Sequence, residues 1–290
     1  MIYLLLSVLS STLIFIIFKY LNKIKIESLP VIVLNYFFAA LIAFLISGTG
    51  EISHVTSGWL TMVITTGVLF IIMFHVLSLS SRKAGISVTS VASKMSVAIP
   101  VTFSILYDPQ DSFNNLKLIA LILALISVVL TVMRKHETLP DKSVVYLPVI
   151  LFFGMGIVDS LIKLAQYNFL KDSNPAFYSS MLFTVAFLSG LLFMLLNNTP
   201  FIKLINQKFL VTGLLLGICN FGSVYFFVKA LNSEFKGLHI DSSIVFGINN
   251  LSIIILSVLT GLVLFREKLR LINWIGIMTA ITSILLFSYS

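Results

Sequence analysis

The sequence predicts an all-α integral membrane protein: ten transmembrane helices arranged as two inverted five-helix repeats. Three observations carry the prediction. The chain is broken into apolar runs of bilayer length, its basic residues alternate between connections, and its two halves echo each other. Of the 290 residues, 58% are hydrophobic and 10% charged, with a mean hydropathy of +1.07. A soluble domain carries about 25% charged residues, so the main solvent of this chain is lipid.

A helix needs ~20 apolar residues to cross a bilayer. That length places spans near 2–20, 30–47, 58–80, 86–107, 116–133, 144–170, 175–196, 209–231, 241–264 and 271–288. The run from Met1 to Phe18 lacks a basic start and a small-residue cleavage pattern, and reads as the first span. Breakers fill the connections: Pro30, Gly48-Thr49-Gly50, Asp108-Pro109, Pro140-Asp141, Asn174-Pro175 and Asn197-Asn198-Thr199-Pro200. Open strands would leave backbone groups unsatisfied in hydrocarbon, and barrel strands would be half this long and alternating, so helices are the reading that fits.

Charge orients the bundle. The odd-numbered connections hold thirteen basic residues: Lys19, Lys23, Lys25, Arg82, Lys83, Arg134, Lys135, Lys142, Lys203, Lys208, Arg266, Lys268 and Arg270. The even-numbered ones hold Lys117, Lys171 and Lys236. Basic residues in short loops stay on the cytoplasmic side, which predicts outward-facing termini. Trp59, Tyr107, Tyr146 and Trp274 fall near span ends, at interface level. The basic residues follow loops rather than one face, so the formal charge of +8 does not point to nucleic acid. The single Cys219 excludes an internal disulfide and a cysteine metal site.

Residues 1–137 and 138–290 form the two expected repeats of one membrane domain. Ser11-Thr12-Leu13-Ile14 resembles Asp159-Ser160-Leu161-Ile162, and Ser87 to Pro100 lies over Ser242 to Ile255, setting Lys94 against Asn249. Five spans per half force the second half in upside down, and the basic loops swap accordingly. Inverted repeats are a common transporter plan, with the substrate site near the midplane where they meet.

The interior polar residues are the candidate site. Lys94 falls near the middle of the fourth span, where a lysine costs about 2.5–3.5 kcal/mol and must face a cavity or an anionic partner. Ser87 and Ser90 share its face, and Pro100 is placed to kink the helix. Asp159 and Lys163 are spaced i, i+4 on the sixth span, with Gln166 on the same face. They read either as a self-satisfied ion pair or as a switchable one in which Asp159 alternates to Lys94. Asn249 and Asn250 sit centrally in the ninth span, as a cavity wall or as interhelical hydrogen-bonding residues. His75 is a proton-relay or packing histidine. Asn35, Asn220 and Tyr36 complete the set. Lys229 reads as snorkelling to the interface, Asp241 as the N-cap of the ninth span, and Glu267 as pairing with basic neighbours. No Walker A loop, HExxH, paired-aspartate metal motif or nucleophile elbow is present, and His54, His136 and His239 lack metal-ligand spacing. The expectation is therefore no enzyme, no cofactor and no metal.

Phe265-Arg266-Glu267-Lys268-Leu269, followed by a last helix bearing Gly276, resembles the glutamate-containing turn before the final span of the drug/metabolite transporter superfamily, in its ten-span EamA-type branch. Ser10-Ser11-Thr12 through Phe18-Lys19 is similar to the start of a subset of bacterial members. The matching place in the first half, Tyr107-Asp108-Pro109-Gln110, lacks the glutamate. The resemblance covers the whole chain in size and span number. It implies a multi-pass protein of the bacterial inner membrane, a monomer or homodimer, with a central cavity lined by the first, third, fourth, sixth, eighth and ninth helices. Members are usually described with cytoplasmic termini, whereas the loop charges here argue the reverse. The function expected is a secondary active transporter exporting a small polar metabolite, such as an amino acid or organic acid, by alternating access coupled to protons or exchange. A lipid or lipid-carrier flippase on the same fold and an integral-membrane enzyme are the alternatives.

Overall fold

A computed structural model describes residues 2–47, 56–100, 102, 115–132, 143–169, 175–231, 234–235, 238–239 and 242–289. Its helices are α1 (Ile2–Lys23), α2 (Ser28–Ser47), α3 (Ser57–Lys83), α4 (Ile86–Met95), α5 (Asn115–Val132), α6 (Ser143–Phe169), α7 (Pro175–Leu196), α8 (Gln207–Leu231), α9 (Ser242–Phe265) and α10 (Leu271–Tyr289). A 3-10 turn, Phe201–Ile205, precedes α8, and Glu234–Phe235 pairs antiparallel with Leu238–His239. Among the described residues, seven helices (α1, α2, α3, α6, α7, α8 and α9) are long and apolar enough to cross a membrane, and α5 and α10 are shorter apolar helices. The described residues are overwhelmingly helical, and the chain is a multi-pass membrane protein.

Large apolar side chains crowd its exposed faces, unlike those of a soluble helix bundle. On α1 the exposed residues Ile2, Leu5, Leu9 and Leu13 recur every three or four positions, tracing a lipid-facing stripe. The opposite face buries Ser7, Ser11 and Thr12 beside Phe15 and Phe18. Small residues allow the close approaches that hold helices together in lipid, where no hydrophobic force draws them. Gly217 of α8 makes one such backbone approach: a Cβ there would stand 2.9 Å from the Asn35 carbonyl oxygen and 2.9 Å from Phe38 Cβ on α2. Aromatic edges fill the α2–α3–α7 seam, where Tyr36 packs against Phe70, Phe74 and Phe183 and donates its hydroxyl to the Phe70 carbonyl (3.0 Å).

Neighbour pairs define the arrangement. α1 packs on α8 and α9, and α3 packs on α6 and α7. α2 lies against α7 and α8, α4 against α6 and α9, and α5 against α10. Contacts along each pair give its direction. Gly213 meets Leu34 and Gly217 meets Phe38, so α2 and α8 run parallel. Gly67 meets Val185 while Gly190 meets Ile71, so α3 and α7 are parallel too. Asn273 reaches Thr131 and Ser283 reaches Ala120, which makes α5 and α10 antiparallel.

The basic connections gather at one end. Lys19 pairs with Glu267 (3.2 Å), Lys203 with Glu27 (2.6 Å), and the Arg82 guanidinium donates to Asn22 (3.1 Å). At that end α7 stops on Asn198, which takes the left-handed conformation (φ 51°) that asparagine tolerates best after glycine. At the other end Trp59 stacks on Phe177 in the first turn of α3, and Lys229 lies over the rings of Tyr3 and Tyr225.

Candidate functional site

The expected fourth span, 86–107, is not one uninterrupted helix. α4 ends at Met95, residues 96 and 97 form a turn, and helix resumes at 98–100. The cause is Pro100. Its ring nitrogen cannot donate to the carbonyl four residues earlier, and the ring collides with that carbonyl, which belongs to Ser96. The turn satisfies itself over a shorter reach instead: Val97 N–H donates to Lys94 O (3.4 Å) and Ile99 N–H to Ser96 O (2.9 Å). Lys94 therefore occupies the last turn before a helix break rather than the middle of a continuous span.

Asp159 of α6 meets that break. Ser96 Oγ donates to Asp159 Oδ2 (3.3 Å) and also to the Ser93 carbonyl (2.6 Å). The Asp159 carboxylate and the Lys94 ammonium attract each other, and both side chains are mostly buried. Gly156, one turn before Asp159, lies against Ile99, so α6 crosses α4 directly at the break. At this depth each charge would be costly alone, and the pair with its serine offsets part of that cost.

The remaining expected residues divide. Asn249 and Asn250 are buried on α9, another neighbour of α4, and Asn249 Oδ1 has no hydrogen-bond partner among the described residues. Asn220 is buried on α8 with its amide nitrogen unpartnered among the described residues, beside the Ser7–Ser223 bond (3.0 Å) that ties α1 to α8. Asn35 is fully buried on α2, which packs on α3, α7 and α8, away from the Lys94–Asp159 pair. His75 sits edge-on to Phe193 of α7 (5.5 Å between centroids), in a packing environment. Lys163 belongs to α6, but its side chain, like that of Gln166, lies outside the described residues, as do Asp241 and the 137/138 boundary.

The serine stripe before Lys94 is used differently from the expectation. Ser90 Oγ donates to the Ser87 carbonyl (3.0 Å), and Ser87 is held by Glu267. Glu267 pairs with basic Lys19, as its neighbours suggested, but its larger role is to cap α4. Ile86 N–H donates to its Oε1 (2.7 Å), while Ser87 N–H (3.2 Å) and Ser87 Oγ (2.9 Å) donate to its Oε2. The N-cap position is Gly85, which supplies no side chain and takes φ 97°, a conformation glycine alone adopts cheaply. A remote carboxylate thus does the work of a local cap, at the positive end of the helix dipole. The turn bearing it is fixed by Glu267 N–H donating to the Gly261 carbonyl (2.9 Å) and by Asn273. The Asn273 amide donates to the Thr131 carbonyl (2.9 Å) and accepts from Arg270 N–H (3.0 Å). Ser96 and Asn273 had no sequence signal beyond being polar; Ser96 alone was traceable, as the residue four before a proline.

Comparison with known proteins adds fold and ancestry without a function. No family model matches the chain. An uncharacterized protein of Haemophilus influenzae is 26% identical over 227 residues, covering 77% of this chain and 73% of that protein. A solved structure described only as a crystal structure of a protein superposes with a TM-score of 0.60 at 15% identity, covering 98% of this chain and 97% of its own. That likeness is one of fold.

Proposed function

We propose that the chain is a secondary active transporter of a small polar metabolite, of the EamA type within the drug/metabolite transporter superfamily, working by alternating access. The observation that carries the reading is the α4 break inside an apolar bundle, where Asp159 accepts from Ser96 within electrostatic reach of Lys94. Transporter binding sites are characteristically built where a spanning helix is interrupted, because free backbone groups and half-helix ends face the cargo there. In this reading Lys94 anchors an acidic group on the cargo. Asp159 is released from Lys94 when cargo binds and carries the coupling proton or the exchanged amine, and Asn249 and Asn250 form a hydrogen-bonding wall. Export is the direction we favour.

Two features support ten spans in inverted repeats. Shifting helix numbers by five maps α1–α8 onto α6–α3, α1–α9 onto α6–α4, α2–α8 onto α7–α3 and α9–α10 onto α4–α5, and both members of each pair are in contact. The parallel and antiparallel pairs also follow strict up-down alternation. The basic end is assigned to the bacterial cytoplasm and both termini to the outside. A reporter fused after Ser290 should be active only outside, and cytoplasmic activity would overturn the orientation.

The transport test is uptake into proteoliposomes across a panel of amino acids and organic acids, with and without a pH gradient. Wild type should accumulate at least one of them, and Lys94→Ala and Asp159→Asn should each abolish accumulation. Undiminished uptake in both variants would remove the assigned site.

A further inference from the structure

We infer that Lys19 and Glu267 form a latch that holds the basic end of the bundle shut, and that this structure is the conformation closed at that end. The inference rests on the transport reading and supplies its gate. Four elements meet there: the end of α1, the end of α3, the start of α4 and the α9–α10 turn. Lys19 Nζ of α1 donates to the Ser81 carbonyl of α3 (3.3 Å) and pairs with Glu267 (3.2 Å), whose carboxylate holds the first turn of α4. One ion pair thus ties α1, α3 and α4 of the first half to a turn of the second. A recess of about 430 Å³ lined by both residues stands on its outer side, so water reaches the latch. Behind it every residue of α4 from Ile86 to Ser93 is buried, whereas Lys94 and Asp159 keep partial exposure.

The sealed stretch has the chemistry of a surface that opens. Ser257 of α9 lies one turn before Gly261, where a Cβ would stand 2.8 Å from Ser87 Oγ. Its hydroxyl is buried with no hydrogen-bond partner among the described residues. Ser78 is in the same condition, one turn from both Phe74 and Arg82, which meet Phe18 and Asn22 of α1. A buried hydroxyl without a partner costs more than one in water. A permanent seam therefore gains by losing it, and a seam that is wetted in another state keeps it. The fastening suits such a seam, because Lys19 and Glu267 are 20% and 11% exposed and their charges rehydrate readily on parting. The other end has no second copy in sequence. Tyr107-Asp108-Pro109-Gln110 lacks the glutamate, and the alignment of Ser11 with Asp159 sets Tyr167 opposite Lys19. The latch therefore biases the two-state equilibrium toward closure at the basic end.

The test places cysteine reporters in a Cys219→Ser background of the full-length protein, held in lipid nanodiscs so that both faces meet a water-soluble methanethiosulfonate. Ser257→Cys reports the seam, and Ser283→Cys, buried between α5 and α10, reports general loosening. Lys19→Met breaks the ion pair and leaves the Glu267 cap on α4. Lys203→Met removes the same charge at the same end, from the more exposed pair with Glu27. Lys19→Met should speed labelling of Ser257→Cys about five-fold, the population shift that an ion pair worth about 1 kcal/mol gives. Lys203→Met should change it less than about two-fold, Lys19→Arg should restore the slow rate, and Ser283→Cys should stay slow throughout. An unchanged rate in Lys19→Met, equal effects of the two lysine variants, or equal acceleration of the two reporters would overturn the latch. Labelling as expected in a protein that carries no cargo in proteoliposomes would fail the transport reading and leave the latch standing.

Discussion

Replacing Glu267 with alanine should loosen the start of α4 and measurably destabilise the whole bundle. The side chain accepts from two backbone N–H groups and one hydroxyl of α4 and pairs with Lys19. It is 11% exposed and Lys19 is 20% exposed, so solvent screens the pair only in part. Hydrogen bonds to a charged acceptor contribute about 1.5–3 kcal/mol each, and losing an N-cap costs about 1 kcal/mol. These contributions overlap, and water can reach the freed donors where Glu267 is partly exposed, so the loss should be about 3–4 kcal/mol rather than their sum. For a chain this long, at about 2 °C per kcal/mol, Glu267→Ala should unfold ~6–8 °C below wild type in detergent. Glu267→Gln keeps one acceptor oxygen without the charge and should lose about half as much. Hydrogen exchange at the Ile86 and Ser87 amides should quicken in both variants. An alanine variant unfolding within ~2 °C of wild type, with unchanged exchange at those amides, would refute the capping argument.

Three further outcomes follow from the same geometry. Lys94→Met should cost about 3–5 kcal/mol in thermal stability, because it strands the Asp159 charge, whereas Lys94→Met/Asp159→Asn should recover most of that loss without recovering transport. Recovery of both would make the pair purely structural. Pro100→Ala restores an N–H aimed at the Ser96 carbonyl, so it should close the break, raise the unfolding temperature and slow transport; unchanged values of both would show that the proline does not set the break. Gly217→Ala presses a methyl against α2 backbone atoms and should cost about 1–3 kcal/mol by thermal unfolding. Gly154→Ala meets the mobile thioether of Met73 and should cost less, and the opposite ranking would refute the packing account.

Helix ends were legible wherever a residue with a backbone preference stood at them. Pro175 starts α7 because it fits the first helical position, and Asn198 ends that helix in the left-handed conformation, so the range 175–196 is recovered. The α4 break was not legible as a break, because Ser96 and Val97 carry no stop signal and the proline that interrupts the ladder acts from four residues downstream. The charged residues stood out in the sequence for an energetic reason, since lysine and aspartate in a hydrocarbon span need an explanation, and Asp159 accepts from Ser96, two residues beyond Lys94. Glu267 was legible as a paired charge but not as a cap. Its partners Ile86 and Ser87 lie about 180 residues away, and local pattern holds no trace of so distant a bond.

The proposed repeat also accounts for where the two halves part company. The alignment sets Pro100 of the α4 region opposite Ile255 of α9, and Lys94 opposite Asn249. Ile255 keeps its N–H and α9 runs unbroken from Ser242 to Phe265, whereas α4 stops at Met95. A single proline thus gives one half a half-helix end inside the membrane and leaves the other a rigid wall. The charges follow the same division. The interrupted helix carries the lysine, at an end whose unsatisfied carbonyls favour a cation, and the intact helix carries a neutral amide at the matching position. A carrier whose halves must exchange roles needs the same packing on both sides, but its cargo is a single asymmetric molecule. Symmetric neighbours with an asymmetric pair of polar residues meet both demands, and that combination is harder to explain for a protein that only fills the membrane.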